Sequence, residues 1–140
     1  MLSKNLKVYR RACGFNQEDV AKVLRNAAAI GRPVSVATRD RMAANGIDRD
    51  LADYYRLSDQ TLTVADDFDL VCRDDVYQIM LGCRAADHEA IIRDASGIKI
   101  SVAWERAADV IPVSSGKGIS IAKILKYFHL DASEAMAFGD

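Results

Sequence analysis

Histidine, proline and tryptophan are scarce in this sequence, at two, two and one among 140 residues. His88 and His129 have no partner at metal-ligand spacing, and neither pairs with a Cys or Ser as a dyad, so both read as structural. The three cysteines, Cys13, Cys72 and Cys83, are odd in number and form no CxxC. That argues against a disulfide framework, and Cys72 and Cys83, in or beside apolar segments, read as buried free thiols. Neither sign of charge dominates: 19 Lys+Arg face 20 Asp+Glu, a formal net charge of −1. Nothing therefore draws the chain to nucleic acid or to an anionic membrane. No apolar run approaches the roughly 20 residues that cross a bilayer. The segment MLSKNLKVYRR is basic but has no apolar stretch or small-residue cleavage site, so we read no signal peptide and expect a cytoplasmic setting. Aromatic residues make up 7% and do not alternate with basic ones as a platform for single strands would.

What the sequence does have is apolar content of 50%, enough for one good core. LKVYRRACG at 6–14 reads as a short strand. Asn16 is placed to cap a helix carrying Glu18 and Asp19 in its first turn, where negative charge suits the helix dipole. Val20, Val23, Leu24 and Ala27 recur at helical spacing, and Gly31 should end the helix. PVSVAT then reads as a strand with Val34 and Val36 on one side. Asn45-Gly46 marks a turn. The stretch 51–72 is irregular and allows a short helix, a linker and an amphipathic segment. VYQIMLGC at 76–83 reads as a central strand. Asp87 is placed to cap the helix HEAIIRDA, which should stop at Gly97. IKISVAW at 98–104 alternates as a half-buried strand, and a second strand near 108–113 should pair with it across Glu105 and Arg106. SSGKG feeds a helix with Ile119, Ala122, Ile124, Leu125 and Phe128 as its apolar stripe. A short turn and the apolar strand MAFGD follow. The order is that of an α/β or α+β chain, with helices covering an antiparallel sheet.

The segment DVIPVSSGKGISIAKILKYFHLDASEAMAFGD at 109–140 resembles the junction of cap and core in Cof-type hydrolases of the haloacid dehalogenase superfamily. It has the strand, the lysine-glycine loop, the helix, the short turn and the apolar strand ending in Gly-Asp, in that order. The resemblance implies an α+β cap at 1–106, with an open-faced antiparallel sheet and helices on one face. An incomplete Rossmann-like core segment would then span 107–140. It implies that Lys117 is the lysine beside the nucleophilic aspartate and the substrate phosphate, and that Gly118 is the glycine after it. Asp140 would be the first carboxylate of the acidic motif that holds magnesium. Gly116 stands where the family usually has serine. Arg39 and Arg41, just beyond a strand, fall where the family's cap approaches the substrate entrance, and are candidates to bind its phosphate or polar leaving group.

The chemistry implied is transfer of a phosphoryl group to an aspartate, with Mg2+ screening phosphate charge and a lysine stabilising the charge that spreads in the transition state. The substrate would be a small phosphorylated metabolite such as a sugar phosphate, and the cap would select it and close over it. The Asp-x-Asp nucleophile pair is not found. Asp48-Arg49-Asp50 has no apolar strand leading into it, and Asp67-Phe68-Asp69 lies where the cap should be. We therefore expect this chain alone to be inactive and not to hold magnesium tightly. Lacking its neighbours in a core sheet, the apolar strand near 136–138 should pack on a helix, lose order, or pair with another copy of the chain.

Two other readings compete. The first is a non-catalytic αβ domain that binds a ligand or a protein. The second is a DNA-binding module, because YRRACGFNQEDVAKVLRNAA resembles the opening of a helix-turn-helix. A recognition helix should then follow, but GRPVSVAT reads as a strand and the charge is wrong for DNA. GKG is not a nucleotide loop, since Gly118 follows Lys117 where Ser or Thr is required.

Overall fold

The computed structural model describes residues 14–138. The expected strand at 6–14, the thiol of Cys13 and the carboxylate of Asp140 lie outside the described residues, Gly14 apart.

Helix α1 (Gln17–Ala29) starts where the Asn16 side chain accepts the Asp19 N–H at 2.7 Å. A cap of this kind contributes about 1 kcal/mol. Val20, Val23 and Ala27 form its buried stripe, and the chain turns out at Gly31 with φ 70°. Strand β1 (Val34–Ala37) follows, then β2 (Met42–Ala44), helix α2 (Arg49–Leu57), a one-turn helix α3 (Phe68–Val71) and strand β3 (Gln78–Gly82). After a second single turn, α4 (His88–Ile91), come β4 (Ile98–Trp104), β5 (Ala107–Pro112) and helix α5 (Lys117–Phe128). The strands form one sheet in the order β2-β1-β3-β5-β4, and every neighbouring pair is antiparallel. VYQIMLGC is its central strand, as read from the sequence.

Strand alternation sorts the side chains. Val34, Val36, Ile79, Leu81, Ala108 and Val110 share one face, and α1, α3 and α4 cover it in a single apolar cluster. Each fully buried aliphatic side chain there contributes about 1.5–3 kcal/mol. This is the open-faced antiparallel sheet with helices on one face that the sequence leads one to expect. Helix α2 adds to it by crossing part of the opposite face, where Leu51 and Tyr55 pack on Met80.

Several local expectations need correction. After the first strand the sequence marks only a turn at Asn45-Gly46, but the stretch holds β2, hairpinned to β1 with Ser35 opposite Ala44. The helix HEAIIRDA shrinks to one turn. Asp87 accepts the Arg84 N–H instead of capping it, and the Asn26 amide on α1 binds the Ile91 and Arg93 carbonyls that a longer helix would use. Residues 135–138 form no strand, and Met136 and Phe138 are 81% and 91% exposed. No strand lies beside them among the described residues to supply a ladder. The opening of a helix-turn-helix is also not realised, because β1 follows α1 and α1 packs on the sheet. Finally, β5 pairs with both β3 and β4, so the division expected between 106 and 107 cuts the β4–β5 hairpin.

Candidate functional site

Antiparallel pairing decides which loops meet at each end of the sheet. Ala37, at the end of β1, lies opposite Gln78, at the start of β3. Ile79 lies opposite Val110, so β5 ends at that same edge. The hairpin turn holding Arg39 and Arg41 and the loop leading to Lys117 thus leave the sheet from one end. They are two strand spacings apart, about 10 Å. Among the described residues Arg39 pairs with Asp40 and Arg41 with Asp67, not with the lysine loop.

Lys117 is exposed and opens α5. The first N–H groups of a helix have no acceptor within it and carry a positive partial charge, so the lysine and the helix start both favour an anion there. Gly116 before it has φ 143° and ψ 155°. A side chain is strained in that region, which explains why glycine stands at this position. A Cβ there would lie 3.7 Å from Nζ of Lys99, which also donates to the Val113 carbonyl at 3.5 Å. Lys99 is therefore a second cation against the lysine loop, and sequence reasoning missed it. Its signal was present, because IKISVAW places Lys99 and Ser101 on the polar side of an alternating strand.

Arg41 forks onto Asp67, with Nη1 and Nη2 donating at 2.9 and 3.1 Å. The guanidinium holds the Asp67 carboxyl below its usual range. Arg39 is freer, with Asp40 at 3.7 Å its one ion-pair partner among the described residues and its side chain 56% exposed. Of the two candidate phosphate ligands, Arg39 is available as it stands, while Arg41 must first leave its carboxylate.

A second polar group occupies the other end of the sheet. Asp48 caps α2, accepting the Leu51 N–H at 2.7 Å. Asp50 meets Arg84 at 2.9 Å, Arg106 at 3.1 Å and Arg32 at 3.3 Å. Hydrogen bonding from Arg84 is the main reason its carboxyl is held low. Asp53 is bound by Arg106 and Arg56. The Asp48-Arg49-Asp50 pattern is thus spent on docking α2 to the sheet. Phe68 of the other such pattern is buried in the main core.

Asp109, on β5, differs from these aspartates. It lies half-buried on the sheet face that α2 crosses, and both its oxygens are 3.1–3.2 Å from the Tyr54 hydroxyl that donates to them. Burial raises its pKa, against the lowering effect of hydrogen bonds from Gln78 and Tyr54. Burial, together with Asp109, pushes Tyr54 up to about 12. The Tyr54 ring stacks on Trp104 at 6.3 Å, and Arg106 lies 4.3 Å over the Trp104 ring.

The magnesium expectation fares differently. Among the described residues no three of His, Cys, Asp or Glu gather closely enough to hold a metal. Those residues do not by themselves make a magnesium site.

The sequence profile of the haloacid dehalogenase-like hydrolases matches residues 3–140. The chain belongs to that family. No curated protein sequence is significantly similar to it. Among solved structures, a protein from Geobacillus kaustophilus is 22% identical with a TM-score of 0.72, over 91% of this chain and 50% of its own. A haloacid dehalogenase-like hydrolase from Bacteroides thetaiotaomicron is 16% identical with a TM-score of 0.75, over 91% and 50%. A subclass IIB sugar phosphatase of the superfamily is 18% identical with a TM-score of 0.77, again over 91% and 50%. The family member described here thus shares their fold across most of its length and spans about half of theirs. Among its described residues no helix is long and apolar enough to cross a membrane.

Proposed function

We propose that this chain is the substrate-selecting cap, with the lysine-bearing start of the core, of a magnesium-dependent haloacid dehalogenase phosphatase of Cof type. Its substrates are small organic phosphates such as sugar phosphates, and its setting is the cytoplasm. The division between cap and core falls after Pro112, because β5 completes the sheet. One observation carries the reading: in a chain matched by the family along nearly its whole length, Lys117, Lys99 and the Arg39–Arg41 turn lie toward the same end of the sheet. Positive groups gathered there would meet a phosphoryl group and stabilise its charge in the transition state. Lys117 is the catalytic lysine in this reading, Arg39 and Arg41 bind substrate, and Asp140 begins the metal motif. The cap's work is to exclude water and choose the leaving group.

The isolated chain should be inactive, since it has no nucleophile pair. Magnesium-dependent hydrolysis of phosphate esters by the purified 140 residues, lost on Lys117→Ala, would overturn that. The test of the whole reading is the coding sequence on either side. An in-frame upstream strand ending in Asp-x-Asp and a downstream aspartate should be present. The extended protein should hydrolyse sugar phosphates with magnesium, and Lys117→Ala should lower kcat/KM by about 100-fold or more. Failure of the extended protein to hydrolyse any phosphate ester refutes the proposal.

A second reading, a non-catalytic ligand-binding domain, draws on the completeness of the 14–113 core, which borrows no residue from α5.

A further inference from the structure

Asn45 follows β2 directly, and only Gly46 and Ile47 separate it from Asp48, which caps α2. It closes the β1–β2 hairpin. Its N–H donates to the Val34 carbonyl at 3.0 Å, and its side-chain oxygen accepts the Val34 N–H at 2.8 Å. The residue is exposed. Among the described residues no group accepts from its amide nitrogen or from the Gly46 N–H.

An asparagine followed by glycine has a reaction of its own. The Gly46 nitrogen loses its proton to solvent base and attacks the Asn45 Cγ. The N–Cγ bond forms, the Cγ–Nδ2 bond breaks, and Nδ2 leaves as ammonia after taking a proton from water. Water then opens the succinimide. Attack at Cγ breaks the new bond and leaves aspartate. Attack at the backbone carbonyl breaks the old peptide bond and leaves isoaspartate, with the main chain running through Cβ and Cγ. In sum, one water replaces one ammonia.

The fold supplies what each step requires. The Val34 N–H, fixed at the start of β1, points at the Asn45 oxygen on which negative charge develops. The attacking nitrogen is unpaired, and Gly46 brings no side chain to shield it. A Cβ there would lie 3.2 Å from the Pro33 Cβ. Asn16 and Asn26 differ. The Asn16 amide nitrogen donates to Asp19 at 2.9 Å, and that of Asn26 to the Ile91 and Arg93 carbonyls at 3.0 and 2.9 Å. Gln17 and Ala27, which follow them, carry side chains.

We propose that Asn45-Gly46 is a self-modification site of the folded chain, converting through a succinimide to aspartyl and isoaspartyl forms. The aspartyl form keeps an acceptor for Val34. The isoaspartyl form adds a backbone atom between β2 and α2, whose start is already pressed against Gly82 through Asp48 and Asp50. It therefore weakens the docking of α2. The experiment holds the native chain at pH 8, folded and unfolded in guanidinium. Trypsin releases Met42–Arg49, in which Asn45 is the one amide side chain. Mass spectrometry follows deamidation, and electron-transfer fragmentation separates the two products. The folded chain should convert Asn45 at least as fast as the unfolded one, yield both products, and leave Asn16 and Asn26 intact. Gly46→Ala should lose most of the conversion in both states. The purified isoaspartyl form should melt below Asn45→Asp. Conversion that is faster in guanidinium, or absent from both states, overturns the site. Undiminished conversion in Gly46→Ala overturns the cyclic route, and equal melting overturns the effect on α2.

Discussion

Replacing Gly82 by alanine should loosen α2 from the sheet. Gly82 ends β3 and is buried. A Cβ there would sit 2.6 Å from the Asp50 Cβ, 3.0 Å from Asp48 Oδ1 and 3.2 Å from the Leu51 N. Carbon atoms pack at about 3.5–4.0 Å, so the start of α2 must retreat by about 1 Å. Neither the Asp50 Cβ nor the Leu51 backbone can swing aside, because both are fixed to the helix. Retreat strains the contacts of Asp50 with Arg32, Arg84 and Arg106, and it lifts Leu51 and Tyr55 off Met80. Overpacking of this kind costs about 1–3 kcal/mol. Removing glycine's freedom in the unfolded chain returns about 0.4–1 kcal/mol. The net loss should be about 1–2 kcal/mol, or roughly 3–10 °C in Tm for a domain of this size. Near-UV circular dichroism during heating is the assay, since the Tyr54–Trp104 stack reports on α2. Gly97→Ala is the control. Its Cβ would first meet the end of the Asp19 carboxylate, at 2.8 Å, with the Asn16 amide nitrogen next at 3.8 Å. The Asp19 side chain can rotate, giving up its bond to Asn16 at a cost of about 0.5–1.5 kcal/mol. A Gly82→Ala protein that melts at or above the native temperature refutes the account of α2 docking.

Further expectations concern charge, thiols and association. Burial raises the folded pKa of Asp109, so its contribution to stability is largest at acid pH, where it is protonated in both states, and is lost as pH rises through the folded value. Asp109→Asn should therefore gain stability relative to the native chain between acid and neutral pH, and urea unfolding at several pH values measures that difference. Arg41→Ala breaks an exposed fork and should cost under about 1 kcal/mol, less at high salt, as thermal melts in two salt concentrations would show. Burial pushes the thiols of Cys72 and Cys83 up to about 11. In a Cys13→Ser chain both should resist a thiol reagent at pH 8 until urea unfolds the protein. Helix α5 exposes Ile121, Ile124 and Phe128, at 42, 56 and 62%. Sedimentation should show concentration-dependent association that Ile124→Glu reduces; a concentration-independent monomer contradicts it.

The sequence made the core legible because its signals were local. Asn16, the spacing of Val20, Val23 and Ala27, and Gly31 are read along one helix, and each acts there as its chemistry requires. The alternation in IKISVAW gave both the strand and its partner across Glu105. The middle resisted because its determinants are distant. MAA is three residues long and becomes β2 by pairing with β1 and by a bridge from Ala44 to Val64. The helix after Asp87 is cut short by Asn26, 65 positions away from Ile91. No window along the chain contains that competition.

The candidate site shows the same division more sharply. Lys117 and the Arg39–Arg41 turn are candidates because the segments that hold them resemble the family's. That both sit at one end of the sheet follows only from the pairing order. Lys99, Gln78, Tyr54 and Asp109 come from four elements, and they share a face only through the register of β3, β4 and β5 and the packing of α2 on it.

The main core and the helix that opens with Lys117 are separate in the structure. Every residue of the main apolar cluster lies between Phe15 and Val110, and α5 buries none of its own. A helix of 12 residues is marginal in water without a surface to pack on. Its apolar stripe must therefore be covered before Lys117 is held firmly, whereas Asp109 is already fixed by strand register. In the proposed reading, the placing of Lys117 depends on a surface that covers α5. Any surface that binds the stripe stabilises the helix and fixes its first residue in the same step. Closing the core and readying the lysine become one equilibrium.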